Sequence, residues 1–197
     1  MPKPTRKIQT RLVSFQELFS NKVGSRGLYF PSFRRRRPGL FGSDYTSQGR
    51  YPMHNDFLKK TRGKIRVFSD IGCAIVLGAP TTLEARNALG KNSAVYAVDV
   101  KEAKLEVKKD LEKKGLTLLG HDIAKAPLPV KCDAIRFANV SNWMSQSDRR
   151  RAIVNIWKSL RIGGFLLGSI EYFQGVRPVE HEFVLRKTER GFEEVIL

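Results

Sequence analysis

Cysteine, histidine and acidic residues are scarce in this chain of 197 residues. Its two cysteines, Cys73 and Cys132, lie far apart in sequence, so no disulfide framework is indicated and a reducing compartment, the cytoplasm, is expected. Two cysteines and three histidines without close spacing also argue against a zinc site. No run approaches 18 apolar residues, so we expect no transmembrane helix.

Basic residues outnumber acidic ones, and the excess is concentrated in the N-terminal third. Residues 1–66 contain 16 lysines and arginines against three acidic residues, whereas residues 67–197 contain 20 against 16. We therefore divide the chain into a basic, loop-rich extension, residues 1–63, and a folded domain, residues 64–197. Such a local excess of positive charge predicts a polyanionic partner.

The extension contains four consecutive arginines, Arg34, Arg35, Arg36 and Arg37, among aromatic residues. Arginine forms charge-assisted bonds to phosphates and aromatic rings stack on bases, so one hypothesis is a nucleic acid or ribonucleoprotein partner bound at these arginines. A solvated basic tail and an organelle transit peptide are the alternatives. The apolar spacing within 11–19 predicts a short amphipathic helix.

From residue 64 onwards, short apolar segments alternate with amphipathic ones. The pattern predicts strands at 65–71, 94–98, 116–119, 134–140 and 163–170, helices at 81–89, 101–114 and 147–160, and a closing hairpin of 181–187 and 192–197. Thr81 and Glu84 have the spacing of a capping box at the start of the first helix. This alternation is typical of the α/β class, with a doubly wound, mostly parallel sheet and a C-terminal antiparallel hairpin.

Ligands of such sheets bind at the carboxyl ends of the strands. The residues there are Asp70, Gly72 and Gly78 after the first predicted strand, Asp99 after the second, Asp122 and Ile123 after the third, and Asn139 in the fourth. A glycine lets the backbone approach a ligand closely, and a carboxylate after the second strand can accept both hydroxyls of a ribose.

In order and spacing these segments resemble the class I S-adenosylmethionine-dependent methyltransferases. The resemblance rests on VFSDIGC, VYAVDV, GHDI, DAIRFANVSNW and SLRIGGFLLGS, and it covers roughly residues 64–197. It implies that the cofactor is S-adenosyl-L-methionine, with its methionine part at the loop of residues 70–78. It further implies that Asp99 holds the ribose, that Asp122 and Ile123 hold the adenine, and that Asn139 and Val140 line the methyl-transfer side.

The loop after the first strand departs from the family's pattern. Ala74 stands where the second of three glycines is expected, and part of 74–77 is an insertion before Gly78. Ile75 and Val76 are β-branched and resist positive φ. Either the loop bulges and leaves room for the cofactor, which predicts an active enzyme, or its side chains fill the pocket, which predicts a non-catalytic scaffold.

The sequence leaves the methyl acceptor and the catalytic residues open. The run from Asn139 to Asn142 lacks the Pro-Pro-aromatic sequence of amino-directed nucleic-acid methyltransferases, and Cys132 precedes its strand, the wrong end for a cytosine nucleophile. The candidate acid–base groups are His54 and His121. Three hypotheses follow: a methyltransferase acting on a nucleic acid or another anionic substrate, an inactive RNA-binding or scaffold protein, and a small-molecule methyltransferase.

Overall fold

The computed structural model describes residues 12–13, 22–23, 28–29, 48–141, 144–174 and 177–195. The helices there are α1 Pro52–Lys60, α2 Pro80–Leu89, α3 Leu105–Lys113 and α4 Gln146–Ser159. The strands there are β1 Leu12–Val13, β2 Lys22–Val23, β3 Leu28–Tyr29, β4 Val67–Ile71, β5 Ala94–Asp99, β6 Thr117–Gly120, β7 Cys132–Ala138, β8 Leu160–Gln174, β9 Arg177–Lys187 and β10 Phe192–Glu194. None of these helices is long and apolar enough to cross a membrane.

One mixed sheet organises the described part of the chain, with strand order β1-β10-β9-β8-β7-β4-β5-β6. The strands from β8 to β6 in this order pair in parallel, and β9, β10 and β1 extend the sheet in antiparallel fashion. Strands β2 and β3 pair only with each other. The predicted α/β fold, with a mostly parallel sheet and C-terminal antiparallel strands, is confirmed.

The core is split between the two faces of the sheet because successive strand residues point to opposite sides. On β8, Leu166 belongs to the cluster that contains Ile153 and Ile156 of α4. Its neighbour Leu167 belongs to the cluster formed with apolar residues of α1, α2 and α3. The strand ends are therefore held in place from both faces.

Helix α1 lies in the segment that the sequence prediction assigned to the extension. Phe57 and Leu58 are buried in the cluster with α2 and α3, and the Phe57 ring packs edge-on against Phe165 of β8 at 4.9 Å between centroids. Pro52 at the first helical position was the local signal for this helix. Its nine residues are too few for a clear helical period.

Two local predictions differ from the structure. Leu12–Val13, inside the predicted helix at 11–19, pair as β1 with β10, so these two residues are not helical. The rest of that predicted helix lies outside the described residues. The cap of α2 is Ala79 and makes no side-chain hydrogen bond. The predicted capping box does not form because Thr81 donates to Asp70 at 3.5 Å, while Glu84 accepts from the Gly49 N–H and Asn55.

Candidate functional site

The loop that follows β4 turns through four left-handed residues. Their φ angles are 70° at Gly72, 54° at Ala74, 84° at Gly78 and 45° at Ala79. Two alanines thus take a conformation that favours glycine, and the β-branched residues between them avoid it.

The inserted residues form a single 3₁₀ turn, Ile75–Leu77. Ile75 is buried, whereas Val76 and Leu77 are 46% and 49% exposed. The insertion therefore bulges outwards and places one of its three apolar side chains in the protein interior.

Gly72 lies against Val140, the second residue after the end of β7. Its N–H donates to the Val98 carbonyl at 2.7 Å, and a Cβ at this position would lie 2.3 Å from a methyl carbon of Val140. Asn139, directly before Val140, has a φ of 60°. Val140, which the resemblance assigned to the methyl-transfer side, therefore covers the backbone of Gly72, and any larger residue than glycine would clash there.

The Asp70 carboxylate forms a buried ion pair with Arg136 of β7. Arg136 Nε donates to Oδ1 at 2.9 Å, one of its Nη atoms donates to Oδ2, and the Thr82 hydroxyl donates to Oδ2 at 2.6 Å. Asp70 and Arg136 are 3% and 0% exposed. Burial acts to lower the pKa of Arg136, but the Asp70 carboxylate outweighs it and raises that pKa, so the guanidinium stays charged.

The same arginine also contacts aromatic rings. Its guanidinium lies 5.0 Å from the Tyr51 ring centroid and 5.8 Å from that of Phe68. One Nη atom has no hydrogen-bond partner within the described residues. Arg136 is a site residue that sequence reasoning missed, although a single charge within the apolar run AIRFA was the signal for it.

Asp99, at the end of β5, keeps a partly exposed carboxylate. Its Oδ2 accepts the Ile75 N–H at 3.4 Å and its Oδ1 accepts the Lys101 N–H at 3.1 Å. Each carboxylate oxygen has a second acceptor position, so two ribose hydroxyls can still bond to it. The exposed side chain of Val100 directly follows it in the chain, and the exposed Leu77 comes two residues after Ile75, whose N–H bonds to Asp99.

The residues after β6 have structural partners. Asp122 Oδ1 accepts the Ala124 N–H at 3.0 Å, and the Lys125 ammonium lies 3.7 Å from Oδ2. Ile123 is 2% exposed and belongs to the core on the α4 face. His121 Nε2 lies 2.9 Å from the Ala126 carbonyl, which fits a donated bond. The Ile123 side chain is therefore part of the core in this conformation.

His54 is fully buried on α1. Its Nε2 lies 3.0 Å and 3.3 Å from the carbonyl oxygens of Gly168 and Phe183, so Nε2 carries the proton. Burial, followed by the positive charge of Arg136, lowers the pKa of His54 to about 3. Nδ1 lies 3.6 Å from Glu182, beyond hydrogen-bond distance, and that carboxylate accepts the His54 backbone N–H at 2.8 Å. His54 therefore fixes α1 to β8 and β9.

The structure brings part of the predicted site together. Gly72 and Asp99 follow neighbouring strands, and Asn139 follows β7 on the other side of β4. Asp122 follows β6, one strand further out. Arg34–Arg37 and Asn142 lie outside the described residues. The cofactor assignments of the individual residues stay predictions.

Neither a metal nor a cysteine nucleophile is indicated at this site. The described ranges contain no group of three or more His, Cys, Asp or Glu side chains able to hold a metal ion. Cys73 and Cys132 are free and buried, and burial raises the pKa of both thiols, that of Cys132 to about 11.

Comparison with known protein families identifies the domain. The family model described as "Methyltransferase domain" matches residues 69–168, half of the chain. The chain therefore belongs to the methyltransferase-domain family, whose cofactor is S-adenosylmethionine, and the resemblance seen in the sequence is confirmed.

Solved structures with the same fold include StiE O-MT, at 16% identity and a TM-score of 0.51 over 64% of this chain and 46% of that one. The N-methyltransferase NodS from Bradyrhizobium japonicum WM9, in complex with S-adenosyl-L-homocysteine, is 22% identical, with a TM-score of 0.46 over 60% of each chain. The S-adenosylmethionine-bound amino pentose methyltransferase CalS10 from Micromonospora echinaspora is 16% identical, with a TM-score of 0.45 over 74% of this chain and 75% of that one. The chain thus spans less than two thirds of NodS and of StiE O-MT. The search of curated proteins gives no match.

The buried ion pair yields a stability prediction. Asp70→Asn should cost about 3–5 kcal/mol because it leaves the Arg136 charge buried without compensation. The double variant Asp70→Asn/Arg136→Met should recover most of that loss. Urea denaturation measures both, with Asp56→Asn, from an exposed ion pair, as a control that changes stability by less than about 1 kcal/mol. A loss for Asp70→Asn no larger than that of the control would contradict the role assigned to the pair.

The buried imidazole predicts a pH dependence. Between pH 6.5 and about 3 the unfolded chain binds a proton at His54 and the folded chain does not, so stability falls as the pH falls through this window. At pH 5 the loss relative to pH 7 should approach about 2 kcal/mol more than in His54→Gln, which keeps a donor but does not titrate. Chemical unfolding at both pH values tests this, and parallel profiles for the two proteins would refute it.

Proposed function

We propose that the chain is an S-adenosylmethionine-dependent methyltransferase in which Asp99 binds the cofactor ribose. The supporting observation is the position of Asp99 in a methyltransferase-family domain: its partly exposed carboxylate lies beside the β4 loop and keeps free acceptor positions. Asp70 is enclosed by Arg136 and Thr82, and Asp122 caps its own turn.

The cofactor supplies an activated methyl group, and the chain holds that group and its acceptor in position. The backbone of the Gly72–Gly78 loop and the residues Asn139 and Val140 would set the place of the methyl group against its acceptor. Methyl transfer depends mainly on proximity and alignment, and it needs little acid–base help. This agrees with the site, where His54 is buried and neutral and His121 bonds to a backbone carbonyl, so we assign no general acid or base.

We further propose that the acceptor is a nucleic acid or another anionic substrate that the basic N-terminal segment recruits in the cytoplasm. The support is the charge distribution, with 16 lysines and arginines against three acidic residues in residues 1–66. Arg34–Arg37 are the proposed phosphate contacts.

Cofactor titration tests the first proposal. Calorimetry should detect binding of S-adenosylmethionine and S-adenosylhomocysteine, and Asp99→Ala should weaken it at least tenfold, because a hydrogen bond to a charged group contributes about 1.5–3 kcal/mol. Glu102→Ala, an exposed acidic residue three positions away, is the matched control and should bind as wild type. Binding that survives Asp99→Ala unchanged would remove Asp99 from the site.

A non-catalytic scaffold is the second candidate, and two observations favour it. Val140 packs against Gly72, and the Asp70 carboxylate is occupied by protein donors. If the folded protein binds neither cofactor nor product in the titration, this candidate replaces the methyltransferase.

Neutralisation of the arginine run tests recruitment. Replacing Arg34–Arg37 with glutamine should weaken binding to unrelated nucleic-acid sequences alike, because phosphate contacts carry no base information, and should reduce the salt dependence. Filter binding over a salt series measures both. Unchanged affinity would exclude these arginines as phosphate contacts and favour the small-molecule methyltransferase instead.

A further inference from the structure

Two loops at the amino ends of the parallel strands form a compact basic surface. They are the loop 61–66 before β4 and the loop 90–93 before β5, and their cations are Arg62, Lys64, Arg66 and Lys91. All four residues are exposed, and the two loops contain no acidic residue. We call these four residues the amino-edge surface.

Hydrogen bonds fix the two loops side by side. The Ala94 N–H donates to the Arg66 carbonyl at 2.7 Å, and the Ser93 hydroxyl donates to the Ile65 carbonyl at 2.7 Å. The Arg62 guanidinium lies over Gly90, where a Cβ would come within 2.3 Å of it. The cations are thus held on a rigid part of the fold.

The charge of this surface is not neutralised by nearby acids. Within the described part of the chain none of the four cations takes part in an ion pair. The neighbouring Asp133 carboxylate accepts the backbone N–H groups of Arg66 and Val67 and pairs with Arg161. The Asp133 carboxylate therefore bonds to backbone N–H groups at the start of β4 and to Arg161, and not to a cation of the amino-edge surface.

Helix dipoles do not account for these four positions. The C-termini of the four described helices point to this edge, and cations in their last turns, such as Lys60 and Lys113, stabilise the helices. The amino-edge surface lies in loops beyond the helix ends, and its side chains make no capping hydrogen bond among those the structure records. Stabilisation of the helix ends therefore does not explain why these four cations lie together.

We propose that the amino-edge surface binds the phosphate backbone of a nucleic acid. Clustered cations on one face are the electrostatic footprint of such a partner. A membrane surface fits less well, because interfacial binding adds apolar insertion and the only large apolar residue of the two loops, Ile65, is 1% exposed.

The position of this surface sets its role. Strands β4 and β5 have five and six residues, so the amino and carboxyl edges of the sheet are separated by about 17–20 Å at 3.3 Å per residue. A nucleotide held at the amino edge does not reach Asp99. The surface therefore anchors a nucleic acid independently of cofactor binding.

The test is a charge-neutralised full-length variant, Lys64→Gln/Arg66→Gln/Lys91→Gln, which keeps Arg62 on Gly90. Its control is Lys104→Gln/Lys109→Gln/Arg150→Gln, which likewise removes two exposed lysines and one exposed arginine, before α3, on α3 and on α4. Affinity for a single-stranded RNA of about 20 nucleotides and for a DNA duplex is measured over a salt series, with thermal unfolding as the check that both variants fold.

The amino-edge variant should lose at least tenfold in affinity near 100 mM salt, and its log–log salt slope should fall by about 2, the value for three lost contacts to a single strand. The control should change less than twofold. The effect should persist when Arg34–Arg37 are also replaced and in Asp99→Ala, so its outcome is separate from that of the cofactor titration. Equal losses in both triple variants would overturn the proposal. Binding to phosphatidylserine vesicles is measured alongside, and a loss there with unchanged affinity for RNA and DNA would also overturn it.

Discussion

The buried ion pair between Asp70 and Arg136 is the constraint on which the centre of the fold depends. It joins the two central strands β4 and β7, and Asp70 also holds α2 through Thr82. Arg136 reaches α1 through the ring of Tyr51. Two charges removed from water are tolerated only when they are paired and hydrogen-bonded, so this geometry allows little movement of the strand ends that carry the site.

The pair also changes the chemistry of the site. In the resemblance drawn from the sequence, Asp70 opens the cofactor loop, but in the structure its oxygens are occupied by side chains of this domain. Asp99 is left as the accessible carboxylate, beside a loop whose insertion turns Val76 and Leu77 outwards. Cofactor recognition at this site would therefore depend on the Asp99 carboxylate, on backbone groups of the loop and on apolar side chains.

The two edges of the sheet differ in charge and are proposed to have separate roles. The carboxyl edge carries the candidate cofactor site, where the acids Asp99 and Asp122 accompany lysines such as Lys101 and Lys125. The amino edge carries loop cations that form no ion pair among the described residues. Both edges are built from connections between the same helices and strands, so one sheet can hold a small cofactor and a polyanion without competition between them.

The sequence by itself determined the alternation of strands and helices, the family and the position of each glycine and acid at a strand end, because these depend on local periodicity and spacing. It overlooked α1, whose nine residues are defined by burial against β8 and β9, and it misassigned Thr81 and Glu84, whose partners are Asp70, Gly49 and Asn55. Only the tertiary structure decided which carboxylate is enclosed and which is accessible. Asp70 and Arg136 are 66 positions apart, and no local pattern specifies a contact made across neighbouring strands.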